Sequence, residues 1–148
     1  MEKTLFTAKF TVKNVIDCSK EYDCITRVEM ESSTSTAILD VHDKLFPQIC
    51  NIDASTNLSV CCELRVDDTK TLKASDKAYG GEFLIQKAIP DVNYAMCGTV
   101  FEFVQLKDNN VNLSISFGGL LLVLTCDVEQ VSKFKYGQKV YLICRDTR

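Results

Sequence analysis

The chain contains no tryptophan, only two prolines and six glycines, and a single histidine, His42, in 148 residues. So little proline and glycine excludes collagen-like, linker-like and low-complexity architectures. One histidine leaves acid–base catalysis and zinc binding short of their usual ingredient, imidazole. In Asp40-Val41-His42 the carboxylate and the ring share one face if the stretch is a strand. A carboxylate can orient an imidazole for catalysis, but a solvent-side pair on a strand is far commoner, and that is the expectation here. No Cys-x-x-Cys pair and no glycine-rich phosphate loop is present. Adjacent Cys61 and Cys62 point to opposite faces of a strand, so they do not form a ligand pair or close a disulfide easily.

Long apolar runs are missing too. No stretch approaches the roughly 18 apolar residues that span a bilayer, and residues 1–6 lack an apolar run of signal-peptide length. The expectation is an intracellular protein with no membrane partner. Its eight cysteines, Cys18, Cys24, Cys50, Cys61, Cys62, Cys97, Cys126 and Cys144, then stay thiols and serve as small hydrophobes. Neither a metal nor any other cofactor is implied. Excess positive charge is also absent: 17 Lys and Arg stand against 20 Asp and Glu, for a net charge of -3. A protein devoted to holding phosphate needs the opposite balance.

What remains is an ordinary globular composition, 46% hydrophobic and 25% charged. At this length one domain over residues 1–148 suffices, hiding roughly two-thirds of the unfolded surface. Phe6, Ala8, Phe10 and Val12 alternate with polar residues, predicting a half-buried strand over 5–13. The same period of two predicts strands at 24–31, 37–42, 57–64 and 139–145. Further strands are predicted at 94–104, 111–117 and 120–125, the last two joined through Gly118-Gly119, a pair suited to a tight hairpin turn. Asp127 followed by Gln130 resembles a capping box for a short helical turn through Val131 and Phe134, ended by Tyr136-Gly137. Pro47 forces a loop after the third strand, and residues 65–90 lose all periodicity and predict one long loop. Eight short strands with at most short helical turns define an all-β antiparallel barrel or sandwich.

Two stretches carry candidate binding chemistry. Lys133, Lys135, Tyr136 and Lys139 interleave basic and aromatic residues, a mixture that stacks bases and follows a phosphate backbone. The bland alternative is that Phe134 and Tyr136 staple the helical turn to the barrel. Residues 120–124 are apolar at every position, so they need cover on both faces, from the barrel interior and the long loop or from a partner.

The second half resembles the eighth of the small subunits shared by eukaryotic RNA polymerases I, II and III. Tyr94-Ala95-Met96-Cys97-Gly98-Thr99-Val100-Phe101 resembles that family's Tyr-x-Met-Tyr-Gly-Lys-Val-Tyr strand. Ser116-Phe117-Gly118-Gly119-Leu120-Leu121 resembles its Ser-Tyr-Gly-Gly-Leu-Leu hairpin, and Val140-Tyr141-Leu142-Ile143 its closing Val-Tyr-Leu-Leu. In the first half, Ile38-Leu39-Asp40-Val41 and Phe46-Pro47 resemble the family's Ile-Leu-Asp-Val and Tyr-Pro. Cys97, Thr99, Phe101 and Phe117 depart from its aromatic and basic residues.

The resemblance implies an eight-stranded barrel related to the oligonucleotide/oligosaccharide-binding fold, in the nucleus, bound against the largest polymerase subunit and in company with the other subunits. It implies no catalytic residues, and nucleic acid met mainly through the assembled complex. Tyr94, Met96, Gly118, Gly119, Leu120 and Leu121 become the candidate partner interface. The alternative is a free-standing barrel that binds single-stranded nucleic acid through Lys133, Lys135, Tyr136 and Lys139.

Overall fold

Alternation of apolar and polar side chains builds eight strands, because a strand sends successive side chains to opposite faces and only one face has to be dry. The computed structural model describes residues 4–17, 24–45, 59–66 and 94–146. The strands are β1 (Thr4–Asp17), β2 (Ile25–Glu31), β3 (Ser35–His42), β4 (Ser59–Val66), β5 (Tyr94–Gln105), β6 (Asn110–Phe117), β7 (Leu120–Asp127) and β8 (Lys139–Asp146). All neighbours are antiparallel, and the sheet closes on itself in the order β1-β2-β3-β7-β6-β5-β8-β4. The barrel and its near-absence of helix agree with the sequence pattern.

Inward side chains from every strand meet in one core that includes Phe10, Val28, Leu39, Val60, Leu64, Val100, Leu113, Leu124 and Leu142. Each large apolar side chain so buried contributes about 1.5–3 kcal/mol relative to exposure. Phe6 and Phe10 stack along β1 with ring centroids 6.5 Å apart. On the outward face, Ala95, Tyr141 and Ile143 form a second, smaller buried cluster with Cys97 packed against it.

The two ends of the barrel differ. One carries the β6–β7 hairpin, where Gly118 and Gly119 both take positive φ, 65° and 103°, as a two-residue turn demands. The start of β2, the end of β3 and the start of β5 lie at that same end. The other end is plugged by a 3-10 helix, Val128–Val131, and the turn after it, which bury Val131 and Phe134 in the core.

β1 runs four residues beyond its predicted end, because a bulge between Val12 and Asn14 leaves Lys13 and Asn14 both exposed before pairing with β2 resumes. The predicted helical turn is shorter than expected. Asp127 caps it by accepting from the Glu129 N–H at 2.9 Å, and it stops at Val131. Tyr136-Gly137 forms a separate turn, held where Gly137 N–H donates to the Val100 carbonyl and Val100 N–H to the Gln138 carbonyl. Phe134 is stapled to the barrel, whereas Tyr136 is 76% exposed. Of the predicted loop at 65–90, Arg65 and Val66 belong to β4 and the remainder lies outside the described residues, as do Pro47, Cys18, Cys50 and residues 57–58.

Cys62, Cys126 and Cys144 are buried, and Cys24, Cys61 and Cys97 are half-buried. Cys62 and Cys144 face each other across β4 and β8 with their sulfurs 3.9 Å apart. The hydrogen bond between them, with burial, pushes the Cys144 thiol well up. Burial and the neighbouring Asp127 carboxylate push Cys126 from 9.0 to about 11. The folded barrel therefore holds the Cys126 proton more tightly than the unfolded chain does. Its contribution to stability is complete below pH 9 and is lost as pH rises towards 11. Urea titrations at pH 8 and pH 10.5 should show a larger fall in stability for the native chain than for Cys126→Ala.

A Cβ on Gly98 would sit 2.4 Å from the Ser116 carbonyl oxygen and 2.6 Å from Cδ1 of Phe117, closer than real contacts allow. Gly98→Ala should lower the unfolding free energy by about 1–3 kcal/mol in urea denaturation, through displacement of β6.

Candidate partner-binding site

The register of β3 against β7 ends at Leu39 opposite Leu122, and the Asp40 side chain takes over where the ladder stops. Asp40 Oδ2 accepts from the Leu121 backbone N–H at 3.2 Å. Across the β2–β3 pair Asp40 stands opposite Arg27, whose Nε donates to Oδ1 at 2.8 Å and Nη2 to Oδ2 at 3.4 Å. The two-pronged, charge-assisted geometry fixes the guanidinium plane. Only 8% of the Asp40 side chain is exposed, against 44% of Arg27, so the carboxylate is the buried anchor and the guanidinium the accessible rim.

Beside this pair lies a cleft of about 360 Å³ lined by Ile25, Arg27, Asp40, Gly118, Gly119, Leu120 and Leu121. Its walls are largely apolar, and the glycine turn presents bare backbone. The arrangement suits an apolar side chain from a partner, with a hydrogen-bond acceptor near Arg27.

Four of the six predicted interface residues, Gly118, Gly119, Leu120 and Leu121, meet at this cleft. Gly118 and Gly119 are exposed, and Leu120 and Leu121 half-buried. Tyr94 and Met96 are elsewhere: both side chains lie inside the barrel. The Tyr94 hydroxyl accepts from the His42 N–H at 3.2 Å and donates to Met96 Sδ at 3.0 Å, tying β5 to the end of β3. Within 120–124, Leu122 and Leu124 are buried in the core, while Leu121 and Val123 stay half-buried on the outer face. Ile38, opposite Val123, is 40% exposed. Lys133, Lys135, Tyr136 and Lys139 are all exposed, at the far end of the barrel from the cleft.

The expected solvent-side pairing of Asp40 with His42 is corrected. Asp40 is buried and spends its oxygens on Arg27 and the Leu121 N–H, while His42 Nδ1 is buried without a hydrogen-bond partner. Ile25, Arg27 and Asp40 were not recognised as parts of the cleft. A hairpin centred on Ser33 and Thr34 pairs Arg27 with Asp40, so the signal was present in the spacing.

A closed barrel whose accessible cleft offers apolar walls and an anchored cation has the form of a binding module rather than of a catalytic centre. The family model for RNA polymerase Rpb8 matches residues 7–146, and the chain belongs to that family of RNA polymerase subunits. It is 28% identical over 153 aligned positions to the DNA-directed RNA polymerases I, II, and III subunit RPABC3 of Saccharomyces cerevisiae, covering 98% of this chain and 99% of the relative. It is 26% identical over 145 residues to the DNA-directed RNA polymerases II, IV and V subunit 8B of Arabidopsis thaliana, covering 95% of this chain and 94% of the relative.

Asp40→Ala strips the acceptor from both Leu121 N–H and Arg27. It should cost about 1–3 kcal/mol in urea denaturation, and should free the Leu121 amide to exchange with solvent faster.

Proposed function

We propose that this chain is a non-catalytic structural subunit that supports DNA-templated transcription by binding the largest subunit of a nuclear RNA polymerase. The observation that carries the reading is the family match across residues 7–146. The cleft at Ile25, Arg27 and residues 118–121 supplies a surface suited to the task. A subunit that binds only the assembled form draws the equilibrium towards assembly by mass action. The contact falls on Gly118, Gly119, Leu120 and Leu121, with Tyr94 and Met96 holding the strands behind them. Like the yeast relative, whose name spans three polymerases, the chain serves more than one enzyme. A free-standing nucleic-acid binder is not favoured, since family membership points to a polymerase subunit and the net charge is -3.

Affinity purification of the tagged chain at near-physiological salt should recover large polymerase subunits in comparable amounts. Leu121→Arg should cut that recovery about tenfold while the thermal unfolding transition stays cooperative. Recovery of nucleic acid without polymerase subunits sinks the reading.

A further inference from the structure

β5 outruns its neighbour on one side. Its register with β8 ends at Thr99 opposite Lys139, and Val100 bonds to the 137–138 turn. From there residues 102–105 pair with β6 alone. Among the described residues no strand is paired to the other edge of residues 101–105. Residues 12–17 of β1 also have a single strand partner, β2, but only the β5 edge adjoins a cluster of exposed apolar side chains. Such an edge is a ready template for another strand.

The same end collects apolar surface. Among the described residues nine large hydrophobics are exposed, and six of them, Phe101, Phe103, Val104, Leu106, Val128 and Tyr136, belong to β5 or to the segments touching it. Val128 N–H donates to the Asn109 carbonyl at the tip of the β5–β6 hairpin, and the Tyr136 turn abuts Val100. Lys135 is exposed in the turn whose Gly137 N–H donates to the Val100 carbonyl, at the point where the open edge begins. Clustered apolar surface next to unpaired backbone is the signature of strand addition, in which main-chain bonds give affinity and side chains give register.

We infer that the edge at residues 101–105 receives an extended segment of another polymerase subunit, added as a further strand. The segment carries apolar residues, which cover Phe101 and Val104, and an acidic residue that meets Lys135. This second surface lies at the opposite end from the cleft, and it rests on the reading of the chain as a polymerase subunit.

Hydrogen exchange on the full chain, free and within the affinity-purified polymerase, tests the inference. Amides of residues 101–105 should slow at least tenfold in the assembly. Val104→Glu should abolish that slowing and leave the protection of residues 118–121 in place. If residues 118–121 slow and 101–105 do not, the edge is unoccupied and the inference falls while the subunit reading stands. Failure to recover any large subunit overturns both. Slowing of 101–105 in the free chain with a concentration-dependent dimer mass assigns the edge to a second copy. Slowing caused by added oligothymidylate assigns it to nucleic acid. Either of these also overturns the inference.

Discussion

Closure of the sheet is the constraint on which the rest of the structure depends. β1 pairs with β2 on one side and β4 on the other, and β4 in turn pairs with β8, so two segments distant in sequence complete the ring. A ring obliges the inward residues of eight strands to share one interior of fixed width. Among the branched and aromatic residues that fill it, Met30 and Met96 are flexible enough to take up irregular gaps, and Cys62, Cys126 and Cys144 serve as small hydrophobes. Where Phe117 crosses β5, only the bare backbone of Gly98 fits beneath it.

Both proposed binding surfaces lie where the ring is imperfect. At one end the β3–β7 ladder stops short, and Asp40 completes it with a side chain, leaving its second function, the grip on Arg27, to shape the cleft. At the other end β5 continues past β8, and its apolar residues Phe101, Phe103 and Val104 are exposed. Both features are departures from regular pairing, and both are polar or apolar groups that a partner can satisfy better than solvent does.

The strands were legible because a period of two survives wherever one face is dry, as in β2, β3, β4 and β8. It failed at Lys13 and Asn14, where a bulge puts consecutive residues on the outside, and so the last four residues of β1 were missed. Periodicity also cannot say which strands are neighbours. Asp40 and His42 were weighed together because they are two residues apart, whereas the decisive neighbours of Asp40 are Arg27 and Leu121, 13 and 81 residues away. The glycine turn and the two leucines were legible as an interface candidate through resemblance. Tyr94 and Met96 read equally well in that way, yet they are interior, because a motif marks which residues matter without marking which face they occupy.

The order of strands in the ring also governs how the chain can be made. Thr4 meets Glu63, 59 residues on, and Cys62 meets Cys144, 82 residues on. Contacts at that separation form slowly, because loop entropy must be lost before they return anything. β8 lies between β4 and β5, so no closed ring exists until it has left the ribosome. Until then the inner faces of the hairpins remain open to solvent, and the nascent chain depends on whatever shields it during synthesis.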